Sequence, residues 1–529
     1  MSPESPIQPA ASLPSLRSRK AGLHSGIDFG VVGVIAIVLL PVFYTLGLKF
    51  SLSLPLALLF ALTGQRFVDL IIYSGKRDVL APNVLMAFYF MIAFGCRTVY
   101  LLRARYVKTE LGLNPYEDFL PMALWCACLG YVFFSLGFSS NWSKKLEASL
   151  PGYRPVWPRA FPGIRILVLL LVGLACTVYL FKLGVAVGDF ANPEFLKNPP
   201  PGLPILLQQL LYIGWVAICV YLILPQRIAG RQAVLPLLAL SVLFLFARVA
   251  MTGGKESLIQ PILEALIVFH YVKKRLKLWQ LAAVGLPTVM LAFGLVNFYR
   301  FVVVGKMGGT PKSLDDVVSR IYSASEYLKP EKAVSTEPSS FDQLMMRDAG
   351  VDALALVMKY TPNPNGFEYG RDLVTLPLAF VPRFLWRNKP IGSSISQDFE
   401  TLFMGEPPNY LGFSSIHLIS DLYREFALFG VVAGMFAIGC GTRLMYRFLA
   451  PYSGNGAGVC AYAILLPSII HLMENGTGSA LVQFTKTTGL LVVASLAFGV
   501  TFSRLRPRNQ LWVQPRLSAS VGLAAASVK

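Results

Sequence analysis

Between Ile164 and Gly184 the chain reads I-R-I-L-V-L-L-L-V-G-L-A-C-T-V-Y-L-F-K-L-G. A helix of about 20 apolar residues crosses the hydrocarbon core of a bilayer, and this stretch has that length, with Arg165 and Lys182 near its edges. Outward from it, similar runs lie at roughly 28–48, 51–73, 82–102, 118–138, 205–225, 232–252, 256–272, 279–303, 427–446, 456–474 and 479–503. The 51–73 run is interrupted by Arg66 and Asp69, and 232–252 joins 256–272 through a short turn at Gly253-Gly254. The expected fold is an all-α polytopic membrane protein with about 12 transmembrane helices. Composition agrees: of 529 residues, 55% are hydrophobic and 14% charged, against about 25% charged in a soluble domain. Mean hydropathy is +0.58.

The formal net charge of +19 does not mark a nucleic-acid binder, because the cations sit in the gaps between apolar runs. Arg17, Arg19 and Lys20 precede the first run and set the N-terminus inside, on a retained signal-anchor helix. The gaps that then face the cytoplasm carry Lys76 and Arg77, Lys144 and Lys145, Arg227 and Arg231, Lys273 to Lys277, and Arg443 and Arg447. Both tails, 1–27 and 504–529, are expected inside, flanking one transmembrane domain at 28–503. The largest gap, about 305–412, is an extracytoplasmic loop with short helices, and a loop of that length usually carries function. Within it, Phe341 to Lys359 has helical spacing, and Leu373 to Trp386 is apolar but broken by Pro377 and Pro382.

The chain has no H-E-x-x-H, no G-x-S-x-G and no spaced zinc pattern, and Thr252-Gly-Gly-Lys255-Glu256 lacks the first glycine of a nucleotide loop. The seven cysteines lie in or beside apolar runs, as packing residues do. The outer side instead gathers cations: Arg97, Arg103, Arg105, Lys108, Arg248, Lys255, Arg300, Arg347, Arg371, Arg383, Arg387, Lys389 and Arg424. Guanidinium forks match phosphate oxygens, so such a set suits a lipid-linked pyrophosphate. Interfacial snorkelling is the structural alternative for Arg97, Arg103 and Lys108. A second group is Ser415-Ile-His417-Leu-Ile-Ser-Asp421-Leu-Tyr423-Arg424-Glu425. Helical spacing puts His417, Asp421 and Arg424 on one face, where Asp421 would orient an imidazole base. The alternative is a structural ion pair of Arg424 with Asp421 or Glu425. His471, Glu474 and Lys486 bracket the last outer loop, and His270 sits at an inner helix end.

Leu373 to Ile391, L-V-T-L-P-L-A-F-V-P-R-F-L-W-R-N-K-P-I, and Ser414 to Gly430, S-S-I-H-L-I-S-D-L-Y-R-E-F-A-L-F-G, carry a resemblance. Together with Met251 to Leu258, Asn297-Phe-Tyr-Arg300, Arg347, Thr361-Pro362 and Gly370, they resemble the Pro-Arg-x-x-Trp-x-x-Lys-Pro and Tyr-x-x-Phe-x-x-x-Gly patterns of bacterial oligosaccharide repeat-unit polymerases, the O-antigen polymerase or Wzy type. Lys255 stands where such proteins commonly have arginine. The resemblance implies an inner-membrane glycosyltransferase with no cofactor and no metal. A glycan on undecaprenyl pyrophosphate is passed en bloc to the sugar end of a second lipid-linked repeat unit, so one such lipid is donor and another acceptor. Arg248, Lys255, Arg300, Arg347, Arg383, Arg387, Lys389 and Arg424 would hold the pyrophosphate. Asp421, Glu425 or His417 would take the acceptor proton. A chain-length regulator and a flippase are the implied protein partners. The rival readings are an O-antigen ligase, a lipid-linked glycan flippase or transporter, and a structural scaffold that would tolerate changes at Arg383 and Arg387.

Overall fold

The computed structural model describes residues 27–45, 48–72, 78–104, 117–149, 153–156, 161–183, 202–224, 231–252, 255–299, 349–371, 415–449 and 456–504, with isolated positions between 315 and 403. In order, the helices are α1 (Phe29–Thr45), α2 (Phe50–Ile72), α3 (Pro82–Phe90), α4 (Arg97–Ala104), α5 (Leu120–Ser139), α6 (Asn141–Ser149), α7 (Gly163–Lys182), α8 (Gly202–Leu207) and α9 (Leu210–Ile223). They continue with α10 (Val234–Thr252), α11 (Lys255–Val268), α12 (Leu278–Tyr299), α13 (Gly350–Tyr360), α14 (Leu418–Leu449), α15 (Gly456–Glu474) and α16 (Thr477–Phe498). A π-turn, Met91–Cys96, joins α3 to α4, and another, Phe269–Lys273, ends α11. One short ribbon pairs Tyr153–Val156 with Thr501–Arg504.

Among the described residues, eight helical stretches are long and apolar enough to cross a membrane. They are α2, Pro82–Leu102, Leu120–Leu146, α7, Gly202–Ile223, α14, α15 and α16. Helix α1, Val234–Val249 and Leu278–Ala292 are shorter apolar helices. The helical state follows from the solvent: in hydrocarbon each backbone amide must bond within its own segment. The outward faces are apolar, as at Val34, Ile37 and Val38 of α1, Val168 and Leu171 of α7, and Val492, Val493 and Leu496 of α16, all exposed. Polar side chains turn inward.

Helix α5 crosses α14 at backbone contact. A Cβ on Gly439 would lie 2.2 Å from the Phe134 carbonyl oxygen, and one on Gly137 would lie 2.1 Å from that of Phe436. Small residues at such crossings let two helices pack without a hydrophobic driving force between them.

Helix α14 differs from the expected span at 427–446 because it starts earlier and breaks. Phe426 (φ −143°) and Ala427 (φ 52°) are non-helical, and a positive φ in a residue with a Cβ is strained. In a straight helix Leu422 and Gly430 would stand about 12 Å apart along the axis. Here a Cβ on Gly430 would meet the Leu422 carbonyl oxygen at 2.1 Å. The first two turns therefore fold back against the long second part.

At the far end of α14, Asp78 ties four elements together. It accepts from Tyr271 Oη (2.7 Å), the Tyr446 hydroxyl and the Leu80 amide (2.9 Å), with His270 Nε2 at 3.1 Å. His270 Nδ1 accepts the Leu276 amide (2.9 Å), which leaves Nε2 to carry the proton toward Asp78. Tyr462 Oη donates to the Leu80 carbonyl at 2.6 Å. Burial works against the Asp78 charge, but the His270, Tyr446 and Tyr271 donors outweigh it and hold the carboxyl below its usual range. Its stabilising effect is present above about pH 4, the unfolded value, and is lost as pH falls through the lower folded one. Asp78→Ala orphans several buried donors and is expected to lower stability by about 3 kcal/mol. Thermal unfolding of the detergent-purified protein checks this.

Candidate functional site

The opposite end of the bundle holds His417, Asp421, Arg424 and Glu425. His417 does not share the helical register that its spacing to Asp421 suggests. Its φ is 60°, and α14 begins one residue later. It occupies the N-cap position: its carbonyl accepts the Asp421 amide (3.1 Å) and its own amide donates to the Glu474 carbonyl (3.2 Å). The imidazole is thereby turned toward Tyr89 of α3, not Asp421.

Tyr89 Oη lies 2.7 Å from His417 Nδ1 and donates to the Met473 carbonyl at 2.7 Å. A hydroxyl has one proton, and a carbonyl can only accept. The proton between Tyr89 and His417 must therefore sit on Nδ1, which leaves Nε2 as the lone-pair nitrogen. His417 is buried, and Nε2 has no hydrogen-bond partner among the described residues. Burial pushes the imidazole pKa down to about 4, so the ring is neutral at ordinary pH. The backbone strain of His417 and the π-turn just after Tyr89 are features that gather at functional sites.

The carboxylates are differently placed. Asp421 Oδ2 accepts the Thr477 amide at 2.6 Å and so caps α16, where a negative charge meets the helix dipole. Glu425 Oε2 accepts the Gly370 amide at 2.5 Å. The turn at Tyr369 (φ 51°) and Gly370 (φ 84°) sends the Glu368 and Tyr369 amides to the carbonyls of Arg424 and Glu425, each at 3.1 Å. These bonds satisfy the carbonyls left open where the first part of α14 stops.

Arg424 is the largest fully buried side chain among the described residues. Its guanidinium lies 3.6 Å from Asp421 Oδ1, 3.9 Å from Glu368 Oε1 and 3.9 Å from Glu425 Oε1. Arg371 Nε lies 3.1 Å from Glu368 Oε2, and its side chain is 58% exposed. Arg97 Nε donates to Asp352 Oδ2 of α13 at 2.7 Å, with both side chains buried. Arg97 is thus an inward-facing ion-pair partner instead of an interfacial anchor.

A second polar group lies on α9 to α11. Arg248 Nη1 donates to Gln208 Oε1 (2.9 Å) with its guanidinium 4.8 Å from the Tyr212 ring centre. Gln260 Nε2 donates to Glu264 Oε1 at 2.8 Å. Lys255 opens α11, but its side chain is outside the described residues. Glu256, next to it, meets His471 Nε2 at 3.0 Å. That contact sets the start of α11 at the same end of the bundle as His417. Arg300, Arg347, Arg383, Arg387 and Lys389 lie outside the described residues, as does most of 305–412.

Tyr89, Glu368 and Asp352, the partner of Arg97, are site residues that sequence reading does not single out. A tyrosine inside an apolar run carries no signal of its own until the fold sets it beside His417. A family model described as a domain of unknown function (DUF8712) matches residues 183–446, a stretch that includes Arg248 and the His417–Glu425 group. No curated protein and no solved structure matches the chain.

Proposed function

We propose that this chain is a polysaccharide polymerase of twelve spans, with both termini in the cytoplasm of a bacterium, joining undecaprenyl-pyrophosphate-linked oligosaccharides on the outer face of the inner membrane. The observation that carries the reading is the buried Nε2 of His417, without a hydrogen-bond partner among the described residues, within a cluster of charged side chains at one end of an apolar helical bundle. Ionisable groups at membrane depth are functional candidates by default. The repeat-unit polymerase pattern at Leu373–Ile391 and Ser414–Gly430 supplies the substrate class.

The reaction is a displacement. The hydroxyl of the acceptor sugar attacks the anomeric carbon of the donor glycan. The new glycosidic C–O bond forms, the C–O bond to pyrophosphate breaks, and undecaprenyl pyrophosphate leaves with the electron pair. His417 Nε2 takes the hydroxyl proton. Asp421 and Glu425 anchor α16 and the 368–370 turn and hold the site in shape. The departing pyrophosphate needs cations that face it. Arg424, enclosed by three of them, steadies the site. Arg371, half-exposed although paired with Glu368, joins Arg383, Arg387, Lys389, Arg300, Arg347, Arg248 and Lys255 as the set for the leaving group.

Deletion of the gene in its host, followed by electrophoresis of the surface glycan, tests this. A single repeat unit without a ladder supports polymerisation. Loss of attached glycan, with long chains accumulating on the carrier, points to a ligase, and repeat units trapped on the cytoplasmic side point to a flippase. An unchanged ladder excludes all three.

A further inference from the structure

We infer that Tyr89 is a positioning residue: its hydroxyl, fixed by donation to the Met473 carbonyl, holds His417 in the Nδ1-protonated tautomer and aims the Nε2 lone pair at the reacting hydroxyl. This rests on the polymerase reading, with His417 as proton acceptor.

Three observations converge on it. The first is the chain of two 2.7 Å contacts, His417 Nδ1 to Tyr89 Oη to the Met473 carbonyl. Its direction is fixed because the last member cannot donate. The second is that the ring has no other hydrogen-bond partner among the described residues, so Tyr89 alone selects between tautomers. A free neutral imidazole populates both forms, and only the Nδ1–H form has a basic Nε2. The third is the backbone. The His417 amide is tied to the Glu474 carbonyl, one residue from Met473, so the ring and the acceptor of the Tyr89 proton ride on the same end of α15.

The arrangement does the work that a buried carboxylate does for the histidine of a Ser-His-Asp triad, with a neutral phenol in its place. When Nε2 takes up the acceptor proton, the ring becomes an imidazolium. Its Nδ1–H keeps the Tyr89 oxygen as acceptor, and the bond from Tyr89 to Met473 polarises that oxygen further. No group needs to move during the transfer. The aromatic contacts of Tyr89 with Phe90 (5.9 Å) and Phe94 (6.1 Å) hold the phenol ring independently of the hydroxyl. Tyr89→Phe therefore removes the positioning bond and keeps the packing.

The chain has four histidines, which makes 15N spectroscopy of the purified, histidine-labelled full-length protein tractable, with His417→Gln identifying the resonances. Protonated and unprotonated ring nitrogens differ widely in shift. The expected wild-type result is a protonated Nδ1 and an unprotonated Nε2 at neutral pH. Tyr89→Phe is expected to shift His417 toward the other tautomer and to lower kcat about 10- to 100-fold with KM unchanged. A wild-type His417 protonated on Nε2 overturns the assignment even if the glycan ladder depends on the gene. A Tyr89→Phe protein with the altered tautomer but full kcat also overturns it. An unchanged ladder on deletion of the gene removes the polymerase reading whatever the tautomer, so the two failures are separable.

Discussion

His417→Gln is expected to abolish the glycan ladder while leaving the protein in the membrane at its normal level. Glutamine is close to histidine in length and keeps a polar end that can meet Tyr89 Oη. It has no group that takes up a proton near neutral pH, so the acceptor hydroxyl loses its base. Loss of a general base lowers turnover about 100- to 10,000-fold. The fold should tolerate the change, because both residues bear the same strain at φ 60° and the backbone bonds to Glu474 and Asp421 do not involve the side chain. Immunoblotting of membranes beside electrophoresis of the glycan separates lost chemistry from lost protein. A normal ladder in cells carrying only His417→Gln would remove His417 from the chemistry.

The second large effect is on stability. Arg424→Ala takes the guanidinium from among Asp421, Glu425 and Glu368, and while Glu368 keeps Arg371, buried Asp421 and Glu425 lose the cation between them. Removing one partner of a buried ion pair costs about 3–5 kcal/mol, because the remaining charge has lost its compensation. The damage would spread, since Asp421 caps α16 and Glu425 holds the Gly370 turn. The expected outcome is little folded protein in detergent extracts, with no ladder. Arg371→Ala provides the contrast. Its side chain is 58% exposed and pairs with Glu368, and exposed pairs contribute about 0–1 kcal/mol. Its unfolding temperature should stay near wild type while transfer weakens. Equal losses of stability in the two variants would contradict this division between a structural and a substrate-facing arginine.

The lipid-facing character of the chain was legible from the first apolar run, because the bilayer imposes both the length of a span and its helical state. Among the described residues each apolar run falls on a helix, and eight stretches there are long and apolar enough to cross. The break at Phe426 and Ala427 was not legible. Neither residue is a glycine or a proline, and what permits the break is the later Gly430 and the 368–370 turn that seals the carbonyls. The cluster at His417 to Glu425 stood out because ionisable residues are rare beside a membrane helix. Its internal roles did not, since periodicity assumed that His417 was helical, whereas its left-handed backbone turns it toward Tyr89, 328 residues away in sequence. Likewise, nothing in the sequence set Asp78 beside His270, which stood only as a residue at an inner helix end.

The most direct measurement is reconstitution of the purified protein in vesicles with lipid-linked repeat units and no other protein. The expected products are glycans of two, three and more repeat units on the carrier lipid, with one undecaprenyl pyrophosphate released for each join. Unextended repeat units that only change leaflet, with no carrier released, would contradict it.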